Sequence, residues 1–376
     1  MMSIDIPKKK WADILCVVSG KNQKNVVDES GTYPIYGSGG IIGYANDYIC
    51  EAGTTIIGRK GTINNPIFVN ERFWNVDTAF GISPGEELLP EYLYYFCRQF
   101  NFASLDKSTT IPSLAKRDLL AIEMPVPPIL EQKRIVARIE ELFSELDNGV
   151  ETLRKTKQQL AVYRQAVLVE AFNAISGSVD MEALATMIDP QPSHRTPPEI
   201  DNGIPYIGIG DINYNTQEID FEKSRKVSSS VLAEQQDRYA LYPGDFVMGK
   251  IGTIGKPFRL SLPQNYTLSA NVILIHPNSK LIKPEFLFWQ FSSPLVTRQL
   301  ALGSTATSQP AFGIKKARKL QIKLCSLEKQ ELILQKIQEK MSLCDNIERT
   351  VDTALQQAEA MRQSILKQAF EGSLYA

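Results

Sequence analysis

A shift of 198 residues lays residues 130–172 on residues 328–370 without a gap. Gln132 then meets Gln330, Ile135 meets Ile333, Ile139 meets Ile337 and Asp147-Asn148 meets Asp345-Asn346. Arg164-Gln165 meets Arg362-Gln363, and Ala171-Phe172 meets Ala369-Phe370. Self-similarity on this scale means two copies of one structural plan. The same shift pairs Pro112 with Pro310 and brings Lys116 close to Lys315-Lys316. Upstream the offset changes. Gly58-Arg59-Lys60-Gly61-Thr62-Ile63 resembles Gly249-Lys250-Ile251-Gly252-Thr253-Ile254 at a shift of 191, and Tyr33-Pro34-Ile35-Tyr36-Gly37 resembles Ile204-Pro205-Tyr206-Ile207-Gly208 at a shift of 171. From Pro34 to Gly61 is 27 residues, whereas from Pro205 to Gly252 is 47. The two halves share a frame and differ in their inserted loops, the form expected of two binders with different targets.

Each half runs from a globular part into a helical one. Residues 135–172 carry an apolar residue every seven: Ile139, Leu146, Leu153, Leu160, Val167. The matching set downstream is Ile337, Cys344, Val351, Ala358, Ile365. A weaker second set reads Ile135, Leu142, Gly149, Thr156, Tyr163 against Ile333, Lys340, Ile347, Ala354, Met361. Seven-residue spacing with charges between argues coiled coil. Two unrelated amphipathic helices on separate cores would also give apolar stripes. They would not reproduce polar pairs over 43 residues. The helices are therefore expected to pack on each other through Ile135, Ile139, Leu142, Leu146, Leu153, Leu160 and Val167 on one side and Ile333, Ile337, Ile347, Val351 and Ile365 on the other. Gly149 should weaken its helix by about 1 kcal/mol relative to Ala. The globular parts mix strand-like runs (residues 54–57 and 270–275) with Gly/Pro/Asn turns and short helices near 90–100 and 284–291, an α+β composition. The boundaries read as 1–128 and 177–325 for the globular domains and 129–176 and 326–376 for the helices.

Among 376 residues the net charge is −1, which counts against a uniformly basic nucleic-acid binder. The charge is uneven: residues 1–128 carry −2, while residues 177–325 carry 16 Lys+Arg against 13 Asp+Glu. Binding to a polyanion must come from local patches or a partner. The five cysteines form no CxxC pair, which fits neither a zinc site nor a disulfide framework. No run approaches the ~20 apolar residues of a membrane span, and a cytoplasmic protein is expected. The two histidines, His194 and His276, are 82 residues apart with no metal-ligand spacing. No nucleotide fingerprint, P-loop or methyltransferase tetrapeptide is present. Tyr36-Gly37-Ser38-Gly39-Gly40 lacks the dinucleotide spacing, and Asp189-Pro190-Gln191-Pro192 is not an Asn/Asp-Pro-Pro-aromatic sequence.

Two motifs occur in both halves. Gly58-Arg59-Lys60-Gly61-Thr62 and Gly249-Lys250-Ile251-Gly252-Thr253 set basic side chains between glycines after a strand-like run. Glycine allows close backbone approach, and amides with Lys or Arg suit a phosphate or a base edge. A plain hairpin turn with solvated charges is the other reading. Ser108-Thr109-Thr110-Ile111-Pro112-Ser113 and Ser304-Thr305-Ala306-Thr307-Ser308-Gln309-Pro310 are hydroxyl-rich loops at equivalent places. Hydroxyls donate to phosphates, and Gln reads adenine through two bonds. The candidate DNA-binding residues from these motifs are Arg59, Lys60, Thr62, Ser108, Thr109, Thr110, Lys250, Thr253, Ser304, Thr305, Thr307, Ser308 and Gln309, to which Tyr36 and Ser38 of the repeated, glycine-rich stretch upstream are added. A scaffold that binds only proteins through its helices is the alternative.

The layout resembles the specificity subunits of type I restriction–modification enzymes. The likeness covers the whole chain. It is carried most clearly by Pro127-Pro128-Ile129-Leu130-Glu131-Gln132-Lys133-Arg134-Ile135-Val136-Ala137-Arg138-Ile139-Glu140-Glu141-Leu142-Phe143 and by Arg362-Gln363-Ser364-Ile365-Leu366-Lys367-Gln368-Ala369-Phe370-Glu371-Gly372. The stretch Ser326-Leu327-Glu328-Lys329-Gln330-Glu331 departs from the pattern. The resemblance implies two target-recognition domains, each reading half of a split asymmetric site in double-stranded DNA. It implies two long helices forming an antiparallel coiled coil with pseudo-twofold symmetry. It implies no catalytic site or cofactor in this chain. Two methyltransferase subunits would bring S-adenosylmethionine, and a restriction subunit, where present, Mg-ATP. A helix of about 43 residues spans about 65 Å. Such a rod could fix the spacing between half-sites, and losing one turn from each helix should shorten it by about a base pair.

Overall fold

The computed structural model describes residues 7–214, 216–304 and 311–374. It divides into two compact units, Met1–Lys155 with Val351–Ala376, and Thr156–Thr350. Each unit therefore takes one globular part and a length of each long helix.

In the first unit a four-stranded antiparallel sheet runs in the order Leu15–Ser19, Ala79–Pro84, Thr54–Gly58, Ile67–Val69. Thr54–Gly58 lies between two partners and is buried throughout, as its Thr-Thr-Ile-Ile composition suits. A three-stranded sheet joins Gly40–Ala45, Tyr33–Gly37 and Trp74–Asn75, the last pair parallel. Lys8–Lys10 pairs with Glu123–Pro125. The helix Pro90–Gln99 starts on proline at a position that needs no amide donor.

The second unit repeats this strand for strand. Its four-stranded sheet is Ala185–Ile188, Val272–Pro277, Phe246–Gly249, Pro257–Arg259. Its three-stranded sheet is Arg225–Val227, Ile204–Ile207, Thr267–Leu268, again with a parallel last pair. Ser178–Asp180 pairs with Gln321–Lys323, and Pro284–Phe291 is the short helix. Among the described residues, the antiparallel pair Ile212–Asn213 with Glu218–Ile219 and the helix Ser229–Arg238 lie between residues 205 and 252. They are the insertion that moves the repeat offset from 171 to 191.

The long helices are Ile129–Asn173 and Leu327–Phe370, both continuous; the first runs through an exposed Gly149. No helix among the described residues is long and apolar enough to cross a membrane. Within the second unit they run antiparallel: Arg164 reaches Asp345 (2.6 Å) and Glu348 (2.6 Å), while Glu170 reaches Lys340 (3.1 Å). Within the first unit Arg362 pairs with Asp147. The 198-residue shift carries Arg164 onto Arg362 and Asp147 onto Asp345. One interhelical ion pair is thus written twice.

Ile135, Ile139, Leu160, Val167, Ile337 and Val351 are buried, and Leu142, Leu146, Leu153, Ile333 and Ile365 are half-buried. Ile347 corrects the expectation: it is 37% exposed. Near its ends each helix has two neighbours, the other helix and a globular domain. There a wider stripe is covered, and Val136, Phe143, Leu366 and Phe370 join one core while Leu168, Phe172, Leu334 and Met341 join the other. Ile347 lies in the middle stretch, where the stripe buries Cys344 and Val351 instead.

The helices are fixed to the globular parts by repeat-related contacts. Phe370 packs edge-on to Phe96 and tilts over Tyr92, and Phe172 packs edge-on to Phe286. Gln132 and Gln330 are fully buried. The Gln132 amide donates to the Glu87 and Pro127 carbonyls (2.7 and 2.8 Å) and accepts from the Leu89 N–H (2.9 Å). Gln330 donates to Leu281 and Cys325 and accepts from Lys283.

Candidate nucleic-acid interface

In both units the inner strand ends in a glycine that admits no side chain. A Cβ on Gly58 would lie 2.0 Å from the Thr62 carbonyl oxygen, and one on Gly249 would lie 1.7 Å from that of Thr253. The chain folds back sharply over residues 58–62 and 249–253, helped by Gly61 (φ 80°) and Gly252 (φ 78°).

In the first unit the turn is stitched to the hydroxyl loop and the residue after it by main-chain bonds, and in the second unit the turn is bonded to Ala311 and Phe312, which follow the corresponding loop. The Leu114 N–H donates to the Arg59 carbonyl (2.9 Å) and the Gly61 N–H to the Pro112 carbonyl (2.9 Å). In the second unit the Phe312 N–H donates to the Lys250 carbonyl (2.8 Å). The bridges Lys60 with Ser113 and Ile251 with Ala311 stand at matching places. In the first unit the two motifs singled out in the sequence are one surface. Ser38 joins it, since its Cβ lies 3.1 Å from the position a Gly58 side chain would take. Tyr36 is half-buried and edge-on to Phe73. Burial, with Glu71 and Tyr44 nearby, raises its phenol above the usual range.

The first unit's loop is closed by Asp106. Its Oδ1 accepts from the Ser108 hydroxyl (2.7 Å), the Ser108 N–H (3.0 Å) and the Ser113 N–H (3.0 Å). These bonds hold the carboxyl below the ordinary carboxylate range, the Ser108 hydroxyl contributing most. Thr109 and Thr110 project from the ring into solvent, as do Lys60 and Thr62 from the turn. Behind the ring lies a cleft of about 520 Å³ with Arg59, Lys107, Lys116, Arg117, Ser108 and Ser19 on its wall. Asp118 partners Lys107 (3.2 Å) and Arg117 (3.6 Å), and it is the one carboxylate beside four cations on this wall. Lys107, Lys116 and Arg117 are not among the candidates read from the sequence. The match of Lys116 to Lys315-Lys316 was the available signal.

Lys250, one of the candidate DNA-binding residues, is engaged by a carboxylate of its own unit. Its ammonium bonds Asp189 at 2.8 Å, and the two side chains are 12% and 19% exposed. Asp189 directly follows the strand Ala185–Ile188, whose Ile188 pairs with Leu274. In the first unit Val18 pairs with Gly81 in the same sheet position, and Ser19 follows it. A carboxylate therefore stands where the first unit has a hydroxyl, and it captures the cation. Thr253 is exposed, and Ser304 is half-buried with its hydroxyl donating to the Ala301 carbonyl. Thr305, Thr307, Ser308 and Gln309 lie outside the described residues.

Comparison with known proteins gives a consistent result. The family profile described as the type I restriction modification DNA specificity domain matches twice, over residues 5–160 and 194–357. The EcoBI type I restriction enzyme specificity subunit of Escherichia coli is 25% identical over 351 residues, 85% of this chain and 73% of its own length. The EcoDI specificity subunit of Escherichia coli is 20% identical over 409 residues, 100% of this chain and 90% of its own. Among solved structures, a chain from a study of complex assembly and conformational transition of the type I R-M system superposes with a TM-score of 0.72 at 16% identity, covering 99% of this chain and 100% of that one. The HsdS subunit from Thermoanaerobacter tengcongensis gives 0.54 at 16% identity, covering 98% and 97%.

Proposed function

The chain belongs to the type I restriction–modification DNA specificity family, and from that premise we propose that each unit reads one half of a bipartite, asymmetric duplex site through its glycine turn and the segment bonded to it. One observation carries this reading: the glycine turn is joined to the residue that follows the hydroxyl-rich stretch by the same backbone bond, Leu114 to Arg59 and Phe312 to Lys250, in both halves of one chain. In this family the chain supplies recognition rather than catalysis. Two methyltransferase subunits carrying S-adenosylmethionine are the proposed partners, with Mg-ATP confined to a restriction subunit, all working on DNA in the cytoplasm. Family membership favours this over a scaffold that binds only proteins.

The direct test is co-expression with the cognate methyltransferase, followed by sequencing of methylated bases in the host genome. A single split motif is the expected result, and methylation without a motif would refute the reading. In the first unit, Lys107→Ala, Lys116→Ala and Arg117→Ala together should flatten the plot of log affinity against log salt. The expected change is about 0.9 for each phosphate that is no longer neutralised, and about equal for cognate and random duplexes. A change confined to the cognate duplex would assign these side chains to bases instead.

Spacing gives a second test. Each long helix rises about 1.5 Å per residue, so removing one turn from both is about 5.4 Å, or one to two base pairs. We expect the methylated motif to lose about that many unspecified central positions while both half-sites stay the same. An unchanged motif would show that the helices do not set the interval.

A further inference from the structure

The two turns differ in one respect that their shared framework makes easy to isolate. In the first unit Arg59 is exposed in a cleft with Ser19 on its wall. In the second, the equivalent Lys250 is bound by Asp189 at 2.8 Å, with both side chains largely withdrawn from solvent. His194 approaches the same carboxylate at 3.9 Å but is itself exposed. Resting on the DNA reading above, we propose that Asp189 is a specificity-determining residue of the second unit: it keeps Lys250 off the phosphate backbone and reserves it for a base-pair edge.

The argument is one of matching donors and acceptors. A phosphate offers only acceptors and a negative charge. To take Lys250 it must break a poorly solvated ion pair, leave Asp189 unpaired and suffer repulsion from it. A G·C pair offers both kinds of group in the major groove: guanine O6 and N7 accept from the lysine, and the cytosine N4 amine donates to the carboxylate. The pair can then be exchanged without stranding either charge. Specificity is a difference of affinities, and a repulsive element of this kind widens it by weakening the wrong partner. The second unit thereby gains discrimination where the first, with Arg59 open, gains general affinity.

The internal repeat supplies a reciprocal test on the full chain with its methyltransferase partner. Asp189→Ser gives the second unit the first unit's residue, and Ser19→Asp does the reverse. Binding to the cognate and to a random duplex is measured across a salt series. For Asp189→Ser we expect random-duplex affinity to rise about three- to tenfold, its log–log salt slope to steepen by about 0.9 and the cognate-to-random ratio to fall. For Ser19→Asp we expect the slope to become shallower by about the same amount. Asp189→Asn should behave as Asp189→Ser does. Unmoved slopes in both directions, with cognate preference intact, overturn the proposal and leave the DNA reading standing. Weaker random-duplex binding by Asp189→Ser with a lower melting temperature also overturns it, because a merely structural pair predicts that. Wild-type protein without any sequence preference would instead bring down the DNA reading itself.

Discussion

Gln330→Ala is expected to cost the second unit about 3–5 kcal/mol, and Gln132→Ala the same in the first. Both glutamines are fully buried. Each satisfies three main-chain groups: for Gln330 the Lys283 N–H and the Leu281 and Cys325 carbonyls, for Gln132 the Leu89 N–H and the Glu87 and Pro127 carbonyls. Truncation leaves those groups without partners, and an orphaned buried donor or acceptor costs about 1–3 kcal/mol. Water entering the space would recover part of this, which sets the lower figure. The unit should melt on the order of 10 °C lower, since about 1 kcal/mol shifts a domain of this size by 2–4 °C. The Leu89 and Lys283 amides should lose protection from hydrogen exchange selectively in their own variant. Gln→Glu should be no better, because a carboxylate cannot donate to two carbonyls. Melting and amide exchange that match wild type would show that these glutamines do not anchor the helices.

This anchor shows how far the sequence could be read. The match of Gln132 to Gln330 was plain, and it told against chance amphipathicity. Its role was hidden, because the three groups each glutamine binds are backbone atoms up to 49 residues away, and backbone atoms leave no mark in a sequence. The long helices were legible because a seven-residue repeat records burial directly. Ile347 was misread because the repeat alone does not say where along a helix a second neighbour covers the flank. The turn and the hydroxyl loop were each found separately. That they form one surface in the first unit is a matter of main-chain pairing between residues 59 and 114 and between 61 and 112. Asp189 was invisible for a related reason. It matches Ser19 in strand position but not in residue type, and the loops around it have different lengths. The charge imbalance of residues 177–325 pointed to a basic second unit, while geometry shows its turn lysine already neutralised.

Gly58→Ala and Gly249→Ala should each disable one turn, reducing cognate binding on the order of 100-fold in the full complex. The new methyl carbon would sit 2.0 Å from the Thr62 carbonyl oxygen in one case and 1.7 Å from that of Thr253 in the other. Both distances are far inside van der Waals contact, and the obstacle is backbone rather than the end of a side chain. The turn must therefore open by more than an ångström. The bonds from Leu114 to Arg59 and from Phe312 to Lys250 lie one residue beyond the substituted glycines, so the turn would part from the segment it is bonded to. Positioning errors of about 1 Å in a recognition surface are enough to remove most of its specific contacts. Gly61 and Gly252 provide the internal control. Nothing lies within 4 Å of a Cβ at either, and only their positive φ opposes a side chain. Alanine there should cost only about 1–2 kcal/mol, and asparagine, which tolerates the left-handed region, less. The expected order of damage is alanine at 58 or 249, then alanine at 61 or 252, then asparagine at 61 or 252. Cognate binding measured by gel shift, alongside thermal melts, ranks them. A Gly58→Ala protein that binds as tightly as Gly61→Asn would mean the turn does not face the duplex.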